Sequence, residues 1–234
     1  MDFTSAKTER VLRNELLWED AYGIRMLPED SVDTVIDIGG NIGLYSLQAR
    51  FRFPTARIIA FEPSPGVLEI FKKNTAGLDI EVYPIGLGEG KKAYLGESLK
   101  ILAKSYTTNG TRKDISCDTL TLPDMFEKYK IDPERASLKI DCEGAEKYLV
   151  GDKTSENLLT ACTHVGIETH FDYSMYRKWL WEIFTSRHLM NISRFGKHLI
   201  IAQFFSKKLY SHIYRHWLRE KPKYVPKFKQ ENNT

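Results

Sequence analysis

Short hydrophobic runs and amphipathic stretches alternate along most of the chain. Each run holds about four to eight apolar or β-branched residues and is closed by glycine, proline or an acid, which is typical of a buried strand. The stretches between them carry apolar residues at helical spacing. We therefore expect strands at 34–38, 57–61, 79–85, 137–140 and 164–167, and helices at 43–51, 66–74, 122–130, 145–150 and 175–185.

Strands that alternate with helices in this way predict an α/β fold with a mostly parallel, doubly wound sheet. The alternation ends in two hydrophobic runs, 189–194 and 198–205, that flank the turn Phe195-Gly196-Lys197. This arrangement predicts a closing antiparallel hairpin. The middle of the chain is less regular, with short strands predicted at 92–95 and 114–117 around a polar loop.

The length of 234 residues fits one domain with short appendages. A helix predicted at 5–19 precedes the first strand, and residues 207–229 carry eight Lys or Arg against one acid. We expect an N-terminal helical extension at 1–30, one α/β domain at 31–206 and a basic C-terminal helix and tail at 207–234.

Composition restricts the function only weakly. Hydrophobic residues make up 42% and charged residues 28%, as in a soluble globular protein. The net charge of +3 is too small to indicate a nucleic-acid partner. The basic tail alone could bind a phosphate backbone or an anionic membrane, but a solvated terminal helix is the more ordinary interpretation. We therefore do not expect nucleic acid as a partner.

Three cysteines without a C-x-x-C pair argue against a disulfide framework or a zinc site. The first residues lack the apolar core of a signal peptide, and the longest apolar run, 199–205, is too short to span a bilayer. We expect a cytoplasmic protein without a transmembrane segment, or one of the secretory pathway if the chain is part of a longer protein.

The most informative local motif, Asp37-Ile38-Gly39-Gly40-Asn41-Ile42-Gly43, joins the first strand to the first helix. Gly39 lets the chain turn sharply under a ligand, and Gly43 lets the helix sit close to the strand. Asp37 can accept hydrogen bonds from an amino group or a bound water. Glu62 ends the next strand and is placed to bind both hydroxyls of a ribose. The pattern predicts a nucleoside cofactor, although such glycine turns also occur where no ligand binds.

The spacing of this motif argues against a phosphate site, because Asn41 stands where the dinucleotide motif needs a second glycine. A cofactor without phosphate fits better, and S-adenosylmethionine is the obvious candidate. Its positive sulfonium and amino groups suit the acids Asp37, Glu62 and Asp141.

A second polar cluster follows two neighbouring strands. Asp141, Glu143 and Glu146 come after the fourth predicted strand, and Glu168 and His170 come after the fifth. The carboxyl ends of adjacent parallel strands open into the crevice where ligands bind. We therefore expect catalytic residues for proton transfer among Asp141, Glu143, Glu168 and His170.

The position of each residue in this cluster suggests a different role. Asp141 is the first residue past its strand and is best placed near a reacting group. Glu143 either takes part in catalysis or stabilises the start of the next helix, on which Glu146 is structural. His170 is the most natural base near neutral pH, although a lone histidine is more often a packing residue. Lys139 either reaches a substrate or pairs with a buried acid.

A metal site is the alternative use of these residues. Asp141, Glu168 and His170 together offer ligands that suit Mg²⁺ or Mn²⁺. Nothing in the spacing requires a metal, so we assign no metal ligands.

Four phrases of this chain, with their spacing, are similar to one known family. They are Asp37-Ile38-Gly39-Gly40-Asn41-Ile42-Gly43, Phe61-Glu62-Pro63, Ile85-Gly86-Leu87-Gly88 and Leu138-Lys139-Ile140-Asp141-Cys142-Glu143-Gly144-Ala145-Glu146. On these phrases the chain resembles the FkbM-type methyltransferases over residues 34–170. It departs from the family at Gly40, where alanine is frequent.

The resemblance implies a class I methyltransferase fold, a Rossmann-like three-layer α/β sandwich with an antiparallel last strand. It also implies S-adenosylmethionine as the methyl donor and a hydroxyl acceptor on a sugar, polyketide or similar natural product. The motif and the resemblance together give as expected cofactor residues Asp37, Gly39, Asn41, Gly43, Glu62, Gly86 and Asp141.

The sequence is consistent with three functions. An O-methyltransferase for a glycan or a small hydroxylated metabolite is the leading one. An RNA 2′-O-methyltransferase is encouraged by the basic tail, but such enzymes typically use two lysines, and the fifth strand ends in Glu168 and His170 instead. The third is a module that binds the cofactor without catalysis. The oligomeric state is left open by the sequence.

Overall fold

The computed structural model of the chain describes residues 20–95, 106–107, 115–170, 173–184, 188–195, 199–209, 211–213 and 215. The predicted helix at 5–19 and most of the predicted basic tail lie outside the described residues.

The described residues form eleven strands and five α-helices. The strands are β1 Thr34–Ile38, β2 Arg57–Phe61, β3 Glu81–Tyr83, β4 Ile85–Leu87, β5 Lys92–Leu95, β6 Tyr106–Thr107, β7 Ile115–Leu120, β8 Ala136–Ile140, β9 His164–His170, β10 His188–Phe195 and β11 Leu199–Ser206. The α-helices are α1 Leu44–Arg52, α2 Pro65–Asn74, α3 Leu122–Tyr129, α4 Lys153–Ala161 and α5 Tyr173–Phe184. Short 3₁₀ helices cover Ile24–Met26, Pro133–Arg135, Ala145–Leu149 and Lys207–Leu209.

Seven strands form the main sheet, in the order β10-β11-β9-β8-β1-β2-β3. The neighbours from β9 to β3 pair in parallel, whereas β11 pairs antiparallel with both β9 and β10. The prediction of a mostly parallel sheet with an antiparallel last strand is therefore confirmed.

The register of the central strands brings the polar residues to one edge of the sheet. Ile38 at the end of β1 lies opposite Phe61 of β2 and Ile140 of β8. Because the three strands end at the same level, the residues that follow them lie side by side at this edge of the sheet. Glu62 and Asp141 thereby flank the turn that follows β1.

Both faces of the sheet are covered, as expected for parallel strands. Ile36 and Ile38 point into the core that α3, α4 and α5 cover, whereas Val35 belongs to the core on the opposite face. That second core includes residues of α1, Tyr22 and Ile24. The layers are therefore helix, sheet and helix, and the N-terminal turn is part of the domain core. No helix among the described residues is long and apolar enough to cross a bilayer.

The single strand predicted at 79–85 is wrong. β3 ends at Tyr83 and belongs to the main sheet, whereas β4 begins at Ile85 and belongs to a second sheet of order β4-β7-β5-β6. Pro84 stands between the two strands and has no N–H to donate to a ladder, which accounts for the break. The polar loop predicted after β5 likewise contains a strand at Tyr106–Thr107.

Two further predictions need correction. The helix expected at 145–150 is a 3₁₀ helix at Ala145–Leu149, and it is followed by the unpredicted α4, whose first turn is capped by Asp152. The strand expected at 164–167 extends to His170, because β11 pairs with it along its whole length. Glu168 and His170 therefore lie within β9 and not after it, and as alternate residues they share one face of the sheet.

Candidate functional site

A cavity opens at the carboxyl edge of the main sheet. Its lining includes six of the residues predicted from the sequence: Gly39, Asn41, Glu62, Gly86, Asp141 and Glu143. Apolar side chains complete it: Ile38, Phe61, Val67, Leu87 and Leu95. The cavity therefore joins the predicted cofactor motif to the first part of the acidic cluster.

The turn after β1 depends on two glycines. Gly39 has φ +80°, and a Cβ atom on it would overlap the carbonyl oxygen of Asp141. Gly43 has φ +88°, is the N-cap of α1, and leaves only 3.1 Å between a would-be Cβ and the methyl carbon of Thr75. Side chains at these positions would be strained in backbone and would push the strands and helices apart.

Four backbone amides of this turn already donate to acceptors within the protein. Gly39 and Gly40 both donate to the carbonyl of Phe61, at 3.0 and 2.9 Å, and Gly43 donates to the carbonyl of Gly40 at 2.9 Å. The amide of Asn41 donates to Glu62 Oε2 at 2.9 Å. A phosphate bound at a glycine turn needs such amides free. The turn is therefore suited to a ligand without phosphate.

Glu62 is buried at the wall of the cavity. Its second carboxylate oxygen, Oε1, accepts a hydrogen bond from the amide of Ser64 at 2.8 Å. Burial raises the pKa of Glu62 to about 7 against the effect of these hydrogen bonds. Each oxygen keeps a further lone pair, so this carboxylate can accept hydrogen bonds from two adjacent hydroxyls.

Asp37 lies behind the turn and is fully buried. Its Oδ2 accepts a hydrogen bond from the hydroxyl of Ser46 at 2.7 Å, and its Oδ1 lies 3.2 Å from the ammonium of Lys139. It does not belong to the residues that line the cavity. Asp37 therefore acts on the turn through Lys139, which donates to the carbonyl of Gly39 at 2.6 Å.

Lys139 is a buried cation beneath both halves of the site. Burial lowers its pKa, but Asp37 and Asp141 outweigh burial and raise the pKa above its usual range. The ammonium lies 3.6 Å from Asp141 Oδ2. Of the two roles that the sequence leaves open, pairing with buried acids is the one that the structure confirms.

The acceptor wall, as we name the group Asp141, Glu143, Glu146, Glu168 and His170, continues from the cavity onto β9. Within it, Glu146 is fully buried and accepts hydrogen bonds from the amides of Cys142 and Gly144, both at 2.9 Å. It holds the loop that carries Glu143, so the structural interpretation of Glu146 is confirmed.

Glu143 has a left-handed backbone conformation and a raised side-chain pKa. Its φ of +53° lies in the left-handed region that few residues with a side chain adopt. Burial raises its pKa to about 7; the nearby His170 lowers the pKa and Asp141, Glu168 and Glu146 raise it. Its side chain remains 36% exposed, so the carboxylate is open to a bound molecule.

His170 is surrounded by three carboxylates. Its Nδ1 lies 3.3 Å from Glu146 Oε1, and its Nε2 lies 3.2 Å from Glu168 Oε1 and 3.5 Å from Glu143 Oε2. Burial lowers its pKa, but the hydrogen bonds to Glu146 and Glu168 prevail and raise the pKa to about 11. At neutral pH this group is an imidazolium, which has no lone pair to accept a proton.

The ligand atoms of Asp141, Glu168 and His170 lie within 4.8 Å of one another, which is close enough for a metal site. The positive charge that these carboxylates need is already supplied by His170 itself. A metal ion would have to displace the proton of the imidazolium before it could bind. These three residues offer the oxygen and imidazole ligands that Mg²⁺ or Mn²⁺ accept, and a metal ion there would take the place of the imidazolium proton.

Tyr22 also belongs to the site, although its sequence context does not predict it. Its hydroxyl lies 3.0 Å from Asp141 Oδ2 and 2.8 Å from Glu168 Oε2, and the residue is buried. It precedes β1 and stands 119 and 146 residues from its two partners. No local pattern marks such a contact.

Comparison with known proteins finds a matching family model and similar stretches in several proteins. The family model described as the Methyltransferase FkbM domain matches residues 37–211, more than half of the chain. A stretch of 71 residues is 34% identical to Methyltransferase 1 of Beauveria bassiana and covers 30% of this chain and 28% of that protein. A stretch of 91 residues is 39% identical to the AMB antimetabolite synthetase AmbE of Pseudomonas aeruginosa, covering 37% of this chain and 4% of that protein.

A similar fold occurs in a crystal structure of Methyltransferase FkbM from Methylobacillus flagellatus KT. The TM-score is 0.50 at 15% sequence identity, and the match covers 76% of this chain and 45% of that one. The chain thus spans less than half the length of these relatives.

Proposed function

The chain belongs to the FkbM methyltransferase family, and from this premise we propose that it transfers a methyl group from S-adenosylmethionine to a hydroxyl of a sugar, a glycan or another small natural product. Its fold is that of the class I methyltransferases. The observation that carries the proposal is one cavity lined both by Glu62 and by the carboxylates of Asp141 and Glu143.

The cofactor end of the cavity is the part around the glycine turn. Glu62 would accept hydrogen bonds from the two ribose hydroxyls, and Gly39 would let the ligand approach the backbone. The occupied amides of the turn support a cofactor without phosphate. Asp141, whose side chain is 25% exposed, provides a negative charge for the positive donor.

The chemistry is an in-line displacement at carbon. When bound, the cofactor supplies an electrophilic methyl group on a positively charged sulfur. The hydroxyl oxygen of the acceptor forms a bond to the methyl carbon as the carbon–sulfur bond breaks, and the hydroxyl proton moves to a base. Much of the rate enhancement comes from aligning the two molecules, which the cavity walls accomplish.

Glu143 is the base in this proposal. A base works best when its pKa is close to the working pH, and the pKa of Glu143 is raised to about 7. His170 hydrogen-bonds with Glu146 and Glu168 and places its positive charge 3.5 Å from the Glu143 carboxylate. Asp141 stays on the cofactor side of the same wall.

The class of acceptor follows from the charge of the wall. The wall holds four carboxylates, and the cations in contact with them, His170 and Lys139, are largely buried, so the wall offers little exposed positive charge to a phosphate-rich acceptor such as RNA. A neutral polyol suits this surface better. One similar stretch occurs in a protein named as an antimetabolite synthetase, which supports a small natural product as the acceptor.

The proposal is tested in two stages. Titration calorimetry with S-adenosylmethionine and S-adenosylhomocysteine should give saturable binding at one site. Transfer of a labelled methyl group to a panel of glycans, hydroxylated small molecules and RNA should then label an oxygen of a glycan or small molecule. Absence of cofactor binding would refute the enzyme; binding without transfer would favour a binding module, and labelled RNA would overturn the acceptor class.

A further inference from the structure

The hydroxyl of Tyr22 stands between two carboxylates of the acceptor wall. It is 3.0 Å from Asp141 Oδ2 and 2.8 Å from Glu168 Oε2. A phenol has one proton and therefore donates to one carboxylate at a time while its oxygen touches the second. The positions of Asp141 and Glu168 are thus linked through one side chain.

Two strands, β11 and β9, hold the turn that carries Tyr22. Gln203 of β11 donates from Nε2 to the carbonyls of Asp20 and Ala21, at 3.0 and 2.7 Å. Gly166 of β9 lies directly beneath, because a Cβ atom there would stand 2.8 Å from the Cβ of Tyr22. Side chains bigger than glycine at this point would lift the turn from the sheet.

The aromatic ring of Tyr22 is fixed as well. The ammonium of Lys139 lies 5.4 Å from the ring centroid, and the ring of Tyr45 meets it edge-on at 5.8 Å. A cation over the face of a buried ring is a favourable contact. The hydroxyl is therefore directed at the two carboxylates by a rigid surrounding.

We infer that Tyr22 is a positioning residue for the methyl transfer, which fixes Asp141 on the cofactor side and Glu168 on the base side of the acceptor wall. This inference rests on the proposed function. Tyr22 reaches the base through two contacts, from Glu168 Oε1 to His170 Nε2 at 3.2 Å and from His170 to Glu143 Oε2 at 3.5 Å.

Tyr22 extends the site beyond the region that matches the family. That region begins at residue 37, whereas Tyr22 lies in the segment that the sequence analysis assigns to an N-terminal extension. The acceptor wall is incomplete without this segment, because one side of both Asp141 and Glu168 is covered by Tyr22.

The test removes the hydroxyl and keeps the ring. Tyr22→Phe is compared with Tyr45→Phe, a matched control that removes a buried hydroxyl from the neighbouring ring. The first measurement is the ¹³C carboxyl NMR spectrum of the full chain, with Asp141→Asn and Glu168→Gln used to assign the two signals. Both carboxyl signals should move in Tyr22→Phe and stay in place in Tyr45→Phe.

The second measurement separates positioning from binding. With an acceptor identified in the methyl-transfer panel, kcat of Tyr22→Phe should fall about ten- to a hundred-fold. The Kd for S-adenosylhomocysteine should stay within about twofold, because Tyr22 does not line the cavity and this molecule lacks the positive sulfonium that Asp141 would face. The double mutant Tyr22→Phe/Glu168→Gln should lower kcat by less than the two single-mutant effects combined.

Unchanged carboxyl signals, or a kcat equal to that of Tyr45→Phe, would overturn the inference. If Tyr22→Phe does not fold, p-aminophenylalanine at position 22 keeps both ring and donor and should retain the wild-type carboxyl signals. Carboxyl signals of this variant that differ from those of the wild type would also refute the positioning role of Tyr22. A wild-type chain that binds no S-adenosylhomocysteine would refute the proposed function instead, while the NMR comparison still decides the coupling.

Discussion

The two ends of the cavity are built in different ways. At the cofactor end, a glycine turn and the next strand end place backbone amides and one carboxylate, and all these residues lie within 39–64. At the acceptor wall, carboxylates that follow β8 and lie on β9 pair with the imidazolium of His170, and the neutral hydroxyl of Tyr22 donates to Glu168. The first depends on backbone conformation, and the second depends on the balance of buried charges, so the two should respond to different substitutions.

The largest effect is expected at the backbone end. Gly39→Ala places a methyl group on the carbonyl of Asp141 at a φ of +80°, so we expect a loss of about 3 kcal/mol or more of unfolding free energy and no detectable cofactor binding. Gly77→Ala is the control, since Gly77 has φ +79° and open space around it and should lose only about 1 kcal/mol. Chemical denaturation and calorimetry measure both. Equal losses in the two variants would show that the approach of Asp141 is unimportant.

Substitutions in the acceptor wall should lower turnover with little change in cofactor affinity. Glu143→Gln removes the proposed base, and we expect kcat to fall about 10²- to 10⁴-fold with the fold intact. Since the base works in its ionised form and its pKa is about 7, wild-type kcat should rise with pH through about 7 and level off above it. The variant should lose this rise.

The control for this experiment is Glu127→Gln on the exposed face of α3. Its pH–rate profile should match that of the wild type. A Glu143→Gln variant with a normal profile would move the base to another residue of the wall.

A smaller effect is expected at Glu62, where cofactor affinity alone should change. Glu62→Gln puts an NH₂ group against an amide donor, either Asn41 or Ser64, and weakens the contact with the ribose. We expect the Kd for S-adenosylmethionine to rise about ten- to a hundred-fold. Calorimetry with Glu69→Gln, on the exposed side of α2, gives the comparison. An unchanged Kd would remove Glu62 from the cofactor site.

The smallest effect is expected from metal removal. His170 already balances the carboxylates of the wall, so dialysis against EDTA should leave methyl transfer within about twofold of its starting rate. Activity that disappears and returns with Mg²⁺ or Mn²⁺ would assign Asp141, Glu168 and His170 to a metal site instead.

The difference between the two ends also decides what the sequence could predict. The order of β1, β2 and β8 and the meeting of Gly39, Glu62 and Asp141 follow from local motifs whose parts are close in the chain or end equivalent strands. Such relations are fixed by strand length and topology, which a hydrophobic pattern contains.

The acceptor wall could be predicted only as a group of residues. The acidity of His170 depends on Glu146, which is distant in sequence and close only in the fold. Glu168 and His170 enter β9 because β11 pairs with them, and that pairing is made by residues 199–206. Tyr22 has no local signal, because its partners are two strand ends far along the chain.

The left-handed backbone at Glu143 has a consequence for how this chain can change over time. Glycine would adopt that conformation with less strain, so stability alone favours the loss of the side chain at this position. In our proposal the carboxylate there is the base, so activity favours keeping it. Position 143 is thus a trade-off between stability and activity. A substitution by glycine would stabilise the chain and remove catalysis, while the cofactor end stays intact.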